Sequence, residues 1–468
     1  MILNRCRISA LVDVLDARLV SLESKSHLEN KSHQDVEFLR VTTDTRAISV
    51  GDLFVALKGE RFDAHDFAEQ AKAAGAVALV VDHELNVDIP QLIVTDTRIA
   101  LGKIAEYNRT FFEGTLFAIT GSSGKTTVKE MLAEILSGAG QVLATKGNLN
   151  NEIGVPLTLL SLSGGDQYAV IEMGASGAGE IAYSAHLAHP DIALISNAMG
   201  AHLAGFGSLQ GVVEAKGEIY DALSAVGIAV INRDDPHADQ WIKRSGDRRI
   251  ISFAQNVPDA DIKALQLLQH DNGCYSFTLS HDDECESVHL NVMGRHNVSN
   301  ALAAAALTVA AGLPLSLAAA GLGRFQAVKG RMCSLEGVMG ARVIDDSYNA
   351  NPGSVKAAIQ VLNELKGERV LILGDMGELG ADAEQMHRDI GQFAAEHKID
   401  KLLAVGPLSK AAVEGYQDAQ GLMAEHFSDQ QSLVNMIRPC AHPGMVILIK
   451  GSRSAGMDKV VSRLTEEV

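Results

Sequence analysis

The chain alternates short apolar runs with alanine-rich amphipathic stretches, a rhythm that predicts an α/β protein. From Thr115 the runs Thr115–Thr120, Tyr168–Glu172, Ile192–Ser196 and Gly227–Ile231 each lie beside a helical pattern. Runs that are apolar at nearly every position belong to strands buried on both faces, so they predict a parallel sheet covered by helices. Before it, Leu39–Thr43, Val77–Val81 and Leu92–Thr95 alternate with helical stretches such as Asp66–Gly75 and predict a small α/β unit. Residues from about 250 to 293 mix polar and apolar positions, which predicts an antiparallel edge, and the alanine-rich helix Asn297–Gly312 follows. Beyond Gly323, Val343–Asp345, Val370–Leu373, Leu402–Val405 and Val446–Ile449 predict the buried strands of a doubly wound, Rossmann-like domain. The expected division is residues 1–112, 113–322 and 323–468. With 468 residues the chain has room for three such cores.

Charge narrows the partners. The formal charge of −18, from 58 acidic and 40 basic residues, argues against a nucleic-acid surface, which needs clustered Lys and Arg. Met1-Ile-Leu-Asn-Arg-Cys-Arg7 meets polar residues too soon for a signal peptide, and no apolar run reaches the length of a membrane span. A cytoplasmic protein without a membrane partner is the expectation. Five cysteines without a C-x-x-C spacing point neither to a disulfide framework nor to a zinc site.

The chemistry starts at Gly121-Ser122-Ser123-Gly124-Lys125-Thr126-Thr127, between an apolar strand and a helix-like segment. Strand, glycine-rich turn and helix start set backbone N–H groups, a helix N-terminus and a lysine around one point, which suits the polyphosphate of ATP. Thr126 is placed to ligate Mg²⁺. The loop is short: two residues, not four, separate its glycines. Glu172 ends a neighbouring strand, where a buried carboxylate needs a partner such as Mg²⁺; a surface carboxylate on a loop is the plainer reading. His202 lies in a glycine-rich loop after the next strand and alone reads as a capping or packing histidine. Lys216 alone reads as a solvated helix lysine. A neutral lysine amine can also add CO₂, and the resulting carbamate is an anion able to bind Mg²⁺. Arg331 beside Asp345-Asp346 offers a two-pronged cation for phosphate or carboxylate, with an internal salt bridge as the alternative. Asp44-Thr45-Arg46, Lys58, Arg61 and His65 mark a second anion site near the N-terminus.

Taken in order, the short loop, Glu172, His202, Arg295-His-Asn-Val-Ser-Asn300, Gly330-Arg331 and Asp346 resemble the ATP-dependent Mur ligases of peptidoglycan synthesis over nearly the whole chain. Lys146-Gly-Asn-Leu-Asn-Asn-Glu-Ile-Gly-Val-Pro156, Asp346-Ser-Tyr-Asn-Ala-Asn-Pro352, Gly374-Asp-Met-Gly-Glu-Leu-Gly380 and Lys450-Gly-Ser-Arg453 are similar to the family member that joins D-alanyl-D-alanine to UDP-MurNAc-tripeptide. The resemblance implies a catalytic set of Lys125, His202 and Lys216, the last carbamylated. It implies two Mg²⁺ ions, one on Thr126 and Glu172 and one on His202 and Lys216. It further implies ATP contacts from Gly121 to Thr127 and from Asn297, Arg331 and Asp346. UDP-sugar contacts would come from Asp44, Thr45 and Arg46, contacts on the muramoyl side from Asn150 and Asn151, and acceptor contacts near Asn349 and Ala350. A monomer is also implied. Two other readings remain at this point: a folylpolyglutamate-synthetase-like ligase, and a phosphate-loop ATPase switch that binds a partner protein.

Overall fold

The computed structural model describes residues 6–20, 35–59, 62–200 and 203–466. The described residues among 1–118, 140–174 and 180–191 form one compact unit, and those among 119–139, 175–179 and 192–468 form a second. The fold class is α/β, with sheets that are mostly parallel.

In the first unit a five-stranded sheet runs in the order Arg18–Val20, Gln91–Ile93, Ala76–Val81, Asp52–Val55, Arg40–Thr42, all parallel except the pairing of Arg18–Val20 with Gln91–Ile93. Phe54, Leu79 and Val81 pack on Ala68 and Ala71 of the helix Ala68–Ala74. Gly75 stops that helix at φ +112, where a Cβ would stand 2.9 Å from the Val50 backbone. The strand Asp52–Val55 is missing from the sequence expectation because an acid opens it. Asp52 is nonetheless buried, its carboxylate held by Arg40 at 2.6 Å and by the Ser49 N–H at 2.8 Å. The helices Thr97–Arg109, Gly154–Leu159 and Glu180–Ala188 and the parallel pair Val142–Ala144 and Tyr168–Glu172 complete this unit. Asp96 caps the first of these helices by accepting from Arg98 and Ile99.

In the second unit Ile192–Ile195, Ile228–Asn232, Arg249–Ala254 and Ile262–Gln269 pair in parallel succession. Cys274–His281 and Glu284–Met293 then add antiparallel strands. The predicted antiparallel edge therefore begins later than expected, since Arg249–Ala254 is a parallel strand. Its polar Ser252 is buried at no cost because the N–H and Oγ both donate to Asp261 Oδ2, at 2.7 and 2.6 Å. The alanine-rich helix runs Arg295–Ala310. A six-stranded sheet follows in the order Cys333–Glu336, Arg342–Asp346, Met445–Lys450, Glu368–Gly374, Lys401–Val405, Met423–Phe427, parallel except at Cys333–Glu336. Apolar clusters around Ile359, Leu371 and Leu448 and around Val370, Ile447 and Val460 make its cores. Glu172, Asp346 and Lys450 are the last residues of their strands, at the carboxyl edge where open α/β sheets usually take ligands.

Candidate active site

The phosphate loop is shaped by two glycines and pinned to the segment after Ile192–Ile195. Gly121 has φ +149, and a Cβ there would fall 1.9 Å from Ser196 Oγ. Gly124 has φ +81 and would press a Cβ to 2.5 Å from Asn300 Oδ1. The Ser122 N–H donates to Asn197 O and the Ser123 N–H to Asn197 Oδ1, each at 3.0 Å, while Ser196 Oγ donates to Ser123 O at 2.6 Å. Ser122 and Ser123 thus spend these N–H groups on holding the loop. The anion-binding end is left to the helix Lys125–Leu136, whose N-terminus carries no side-chain cap. Lys125 Nζ donates to Gly121 O at 2.6 Å, and Thr127 is buried in the first turn.

We expect Gly124→Ala to cost about 1–2 kcal/mol through its left-handed backbone alone, with the overlap on Asn300 added. Thermal denaturation and a nucleotide titration should show a lower melting temperature and weaker ATP binding.

The segment after residue 323 reaches this loop directly. Arg331 Nη2 donates to Thr126 Oγ1 at 2.9 Å, and its guanidinium lies over the Tyr348 ring, 4.2 Å from the centroid. The turn that presents it is held by Asp345, which accepts from the N–H groups of Gly330 at 3.0 Å and Ser347 at 3.1 Å. The neighbouring Asp346 is buried, its Oδ2 on Lys450 Nζ at 2.5 Å and its Oδ1 on the Met332 N–H at 3.3 Å. A second lone pair on each oxygen is what a ribose hydroxyl would use. Lys450 also donates to Asn349 O at 2.9 Å. Asn349 is exposed and Ala350 buried.

Asn297 is buried at the start of Arg295–Ala310, donating to Met293 O at 2.7 Å and accepting from Asn300 at 2.8 Å. In this arrangement it steadies the side chain that packs on Gly124. Lys216 lies on the helix Leu209–Asp221, which Ser208 caps, and is 2% exposed. Burial, with the nearby Lys125 charge second, holds its amine well below the usual lysine range, so the neutral form is favoured. The Phe206 ring stands 5.9 Å from its Nζ. His202 lies outside the described residues, as does Arg61.

In the first unit Glu172 is 2% exposed at the end of Tyr168–Glu172. Its Oε1 accepts from Asn150 Nδ2 at 2.8 Å and its N–H donates to Thr145 Oγ1 at 2.9 Å. Asn151 Oδ1 accepts from the Gly154 N–H at 2.9 Å, at the start of a helix. Asp44 holds Arg46 through two side-chain bonds of 2.9 and 2.8 Å, and this pairing brings the Asp44 carboxyl down to about 2. Thr45 opens the turn between them. Lys58 lies 3.6 Å from Asp63, and His65 is buried between Asp63 and the Asp82 N–H.

Thr126 offers a hydroxyl and Glu172, within its own unit, a carboxylate, each a hard oxygen donor of the kind Mg²⁺ takes. No local pattern marks Asn197, in the run past Ile195, or Tyr348, whose ring meets Arg331 only in the fold.

Models of the Mur ligase family match the chain in three places: "Mur ligase family, catalytic domain" at residues 37–109, "Mur ligase middle domain" at 119–308 and "Mur ligase, glutamate ligase domain" at 323–453. The UDP-N-acetylmuramoyl-tripeptide–D-alanyl-D-alanine ligase of Escherichia coli K12 is 48% identical over 92% of this chain and 95% of its own. The crystal structure of MurF from Acinetobacter baumannii superposes with a TM-score of 0.90 at 37% identity, over all of both chains. MurF from Thermotoga maritima in complex with ADP gives 0.81 at 27% identity, over 91% of this chain and 96% of its own.

Proposed function

The chain belongs to the Mur ligase family, and we propose that its phosphate loop and the strand-end residues around it make an amide bond through an acyl phosphate. It is an ATP-dependent ligase of peptidoglycan synthesis that adds D-alanyl-D-alanine to UDP-N-acetylmuramoyl-tripeptide, releasing ADP and phosphate. The observation that carries the mechanism is the Arg331 bond to Thr126, which brings a cation from beyond residue 323 to the phosphate loop. A switch ATPase that only binds a partner has no use for a further carboxylate, a buried lysine and a second cluster of cations. A folylpolyglutamate-type enzyme is not supported by the Asp346-to-Pro352 run.

A carboxylate and an amine do not condense in water, so the carboxylate must first be activated. Its oxygen attacks the γ-phosphorus, the bond to the β-phosphate oxygen breaks, and ADP leaves. The dipeptide amine then attacks the acyl carbon, and the carbon–oxygen bond to phosphate breaks through a tetrahedral intermediate. Two anions meet in the first step, so the protein's main task is to neutralise charge around the transferring phosphoryl group. Lys125 holds the β and γ phosphates, the uncapped helix N-terminus adds its dipole, and Arg331 moves its guanidinium from Thr126 to the γ-phosphate. Asn297 sits on the adenine side and Asp346 on the ribose. Asp44, Thr45 and Arg46 take the UDP-sugar, Asn150 and Asn151 lie toward the muramoyl group, and Asn349 and Ala350 face the acceptor.

When bound with ATP, Mg²⁺ would supply further charge neutralisation; Thr126 and Glu172 would hold one ion, and His202 and Lys216 a second. Lys216 acts as its carbamate: the neutral amine adds CO₂, forms an N–C bond and loses a proton. The enzyme works as a monomer in the cytoplasm. Among the described residues no helix is long and apolar enough to cross a membrane.

Arg331→Lys keeps the charge and loses the fork, and should lower kcat by about 10- to 100-fold with little change in melting temperature. The function itself is tested by phosphate release from ATP with each substrate omitted in turn. Release should require both UDP-MurNAc-tripeptide and D-alanyl-D-alanine; release indifferent to the dipeptide would overturn the ligase mechanism.

A further inference from the structure

Arg453 is not used by the phosphate site, and Tyr348 touches that site only through Arg331. The ring of Tyr348 serves two cations at once, with Arg331 Cζ 4.2 Å and Arg453 Cζ 5.7 Å from its centroid. A ring attracts one guanidinium readily, but a second brought to the same ring is repelled by the first. Arg331 is accounted for by Thr126 and the phosphates. Arg453 is different: its side chain is 69% exposed, and its ion pair with Asp458 is long, at 3.9 Å. Three residues earlier, Lys450 is 3% exposed and fully engaged by Asp346 and Asn349 O. The motif thus contains one structural cation and one offered to solvent.

The offered cation stands on a fixed turn. The Ser452 N–H donates to Asp375 O at 2.8 Å, Ser452 and Ser454 share a hydroxyl bond of 3.1 Å, and Gly456 closes the turn Arg453–Ala455 at φ +60. The acceptor dipeptide is a zwitterion whose amine must reach the acyl phosphate while its carboxylate points elsewhere. Extended, two residues span about 7 Å, and the separation of the two guanidiniums cannot exceed the sum of their distances to the shared ring. An anion on each arginine removes the repulsion between them: a phosphoryl group on Arg331 and a carboxylate on Arg453.

Resting on the ligase reading above, we infer that Arg453, beside the Tyr348 ring, binds the C-terminal carboxylate of D-alanyl-D-alanine and so selects the free dipeptide. The fork of arginine matches a carboxylate through two parallel hydrogen bonds. Arg453 is a specificity residue in this account, and Tyr348 positions it.

The test compares D-alanyl-D-alanine with its C-terminal amide as acceptors for the wild-type enzyme, Arg453→Gln and Arg453→Lys. The wild type should prefer the acid. Arg453→Gln should raise the KM for the dipeptide by about 10- to 100-fold and abolish the preference for acid over amide, with the KM for ATP unmoved. Arg453→Lys should fall between them and serves as the comparison should the glutamine variant be too slow to assay. An unaltered acid preference in both variants, or a rise in the KM for ATP in place of that for the dipeptide, would overturn the assignment. A wild-type enzyme with no dipeptide-dependent turnover would overturn the ligase reading itself.

Discussion

Lys216→Ala is expected to lose about 10³-fold in kcat and to regain part of it when formate or acetate is added. The side chain is 2% exposed, and burial together with the Lys125 charge keeps its amine neutral at pH values where an ordinary lysine is protonated. A neutral amine is the form that adds CO₂. Carbamate formation releases a proton, so it is favoured as pH rises and reversed as pH falls. Activity in CO₂-depleted buffer should therefore fall on the acid side, and added bicarbonate should restore it. An added carboxylic acid fits the space left by the shortened side chain and replaces the lost anion. Full activity in Lys216→Ala would refute a carbamate there, and activity lost without chemical rescue would reduce Lys216 to a packing residue.

Lys450→Met should destabilise the protein by about 3–5 kcal/mol, because it leaves the Asp346 carboxylate buried without its counter-charge. Asp346 and Lys450 meet at 2.5 Å at the ends of two paired parallel strands, Arg342–Asp346 and Met445–Lys450. The double variant Lys450→Met with Asp346→Asn removes both charges and should recover much of the loss, which is the sign of a coupled pair. Denaturant melts of the single and double variants measure this without reference to turnover. Equal, additive losses would show that the two side chains act separately.

The parts of the site that were legible in the sequence are those made by one stretch of chain. Strand, short glycine loop and helix start are contiguous, so residues 115–136 announce a phosphate site by themselves. Glu172 and Asp346 stand out as polar residues at strand ends, whereas Lys216 alone reads as a solvated helix lysine and gains its role from the family resemblance. The order of the motifs then supplied the family. Contacts between distant segments were not legible. Asn197 locks the loop through two serine N–H groups, and Tyr348 is shared by Arg331 and Arg453, contacts that no local pattern records. The strand Asp52–Val55 was hidden by its buried acid, and Arg249–Ala254 was misread because Ser252 is satisfied by Asp261. In each case a satisfied polar side chain looks like an exposed one until its partner is known.

The acyl phosphate is the centre of the mechanism, and oxygen transfer reports it directly. With both oxygens of the tripeptide's reacting carboxylate labelled as ¹⁸O, turnover with ATP and D-alanyl-D-alanine should deliver one ¹⁸O into the released phosphate and retain the other in the new amide. Unlabelled phosphate, with amide formed all the same, would contradict it.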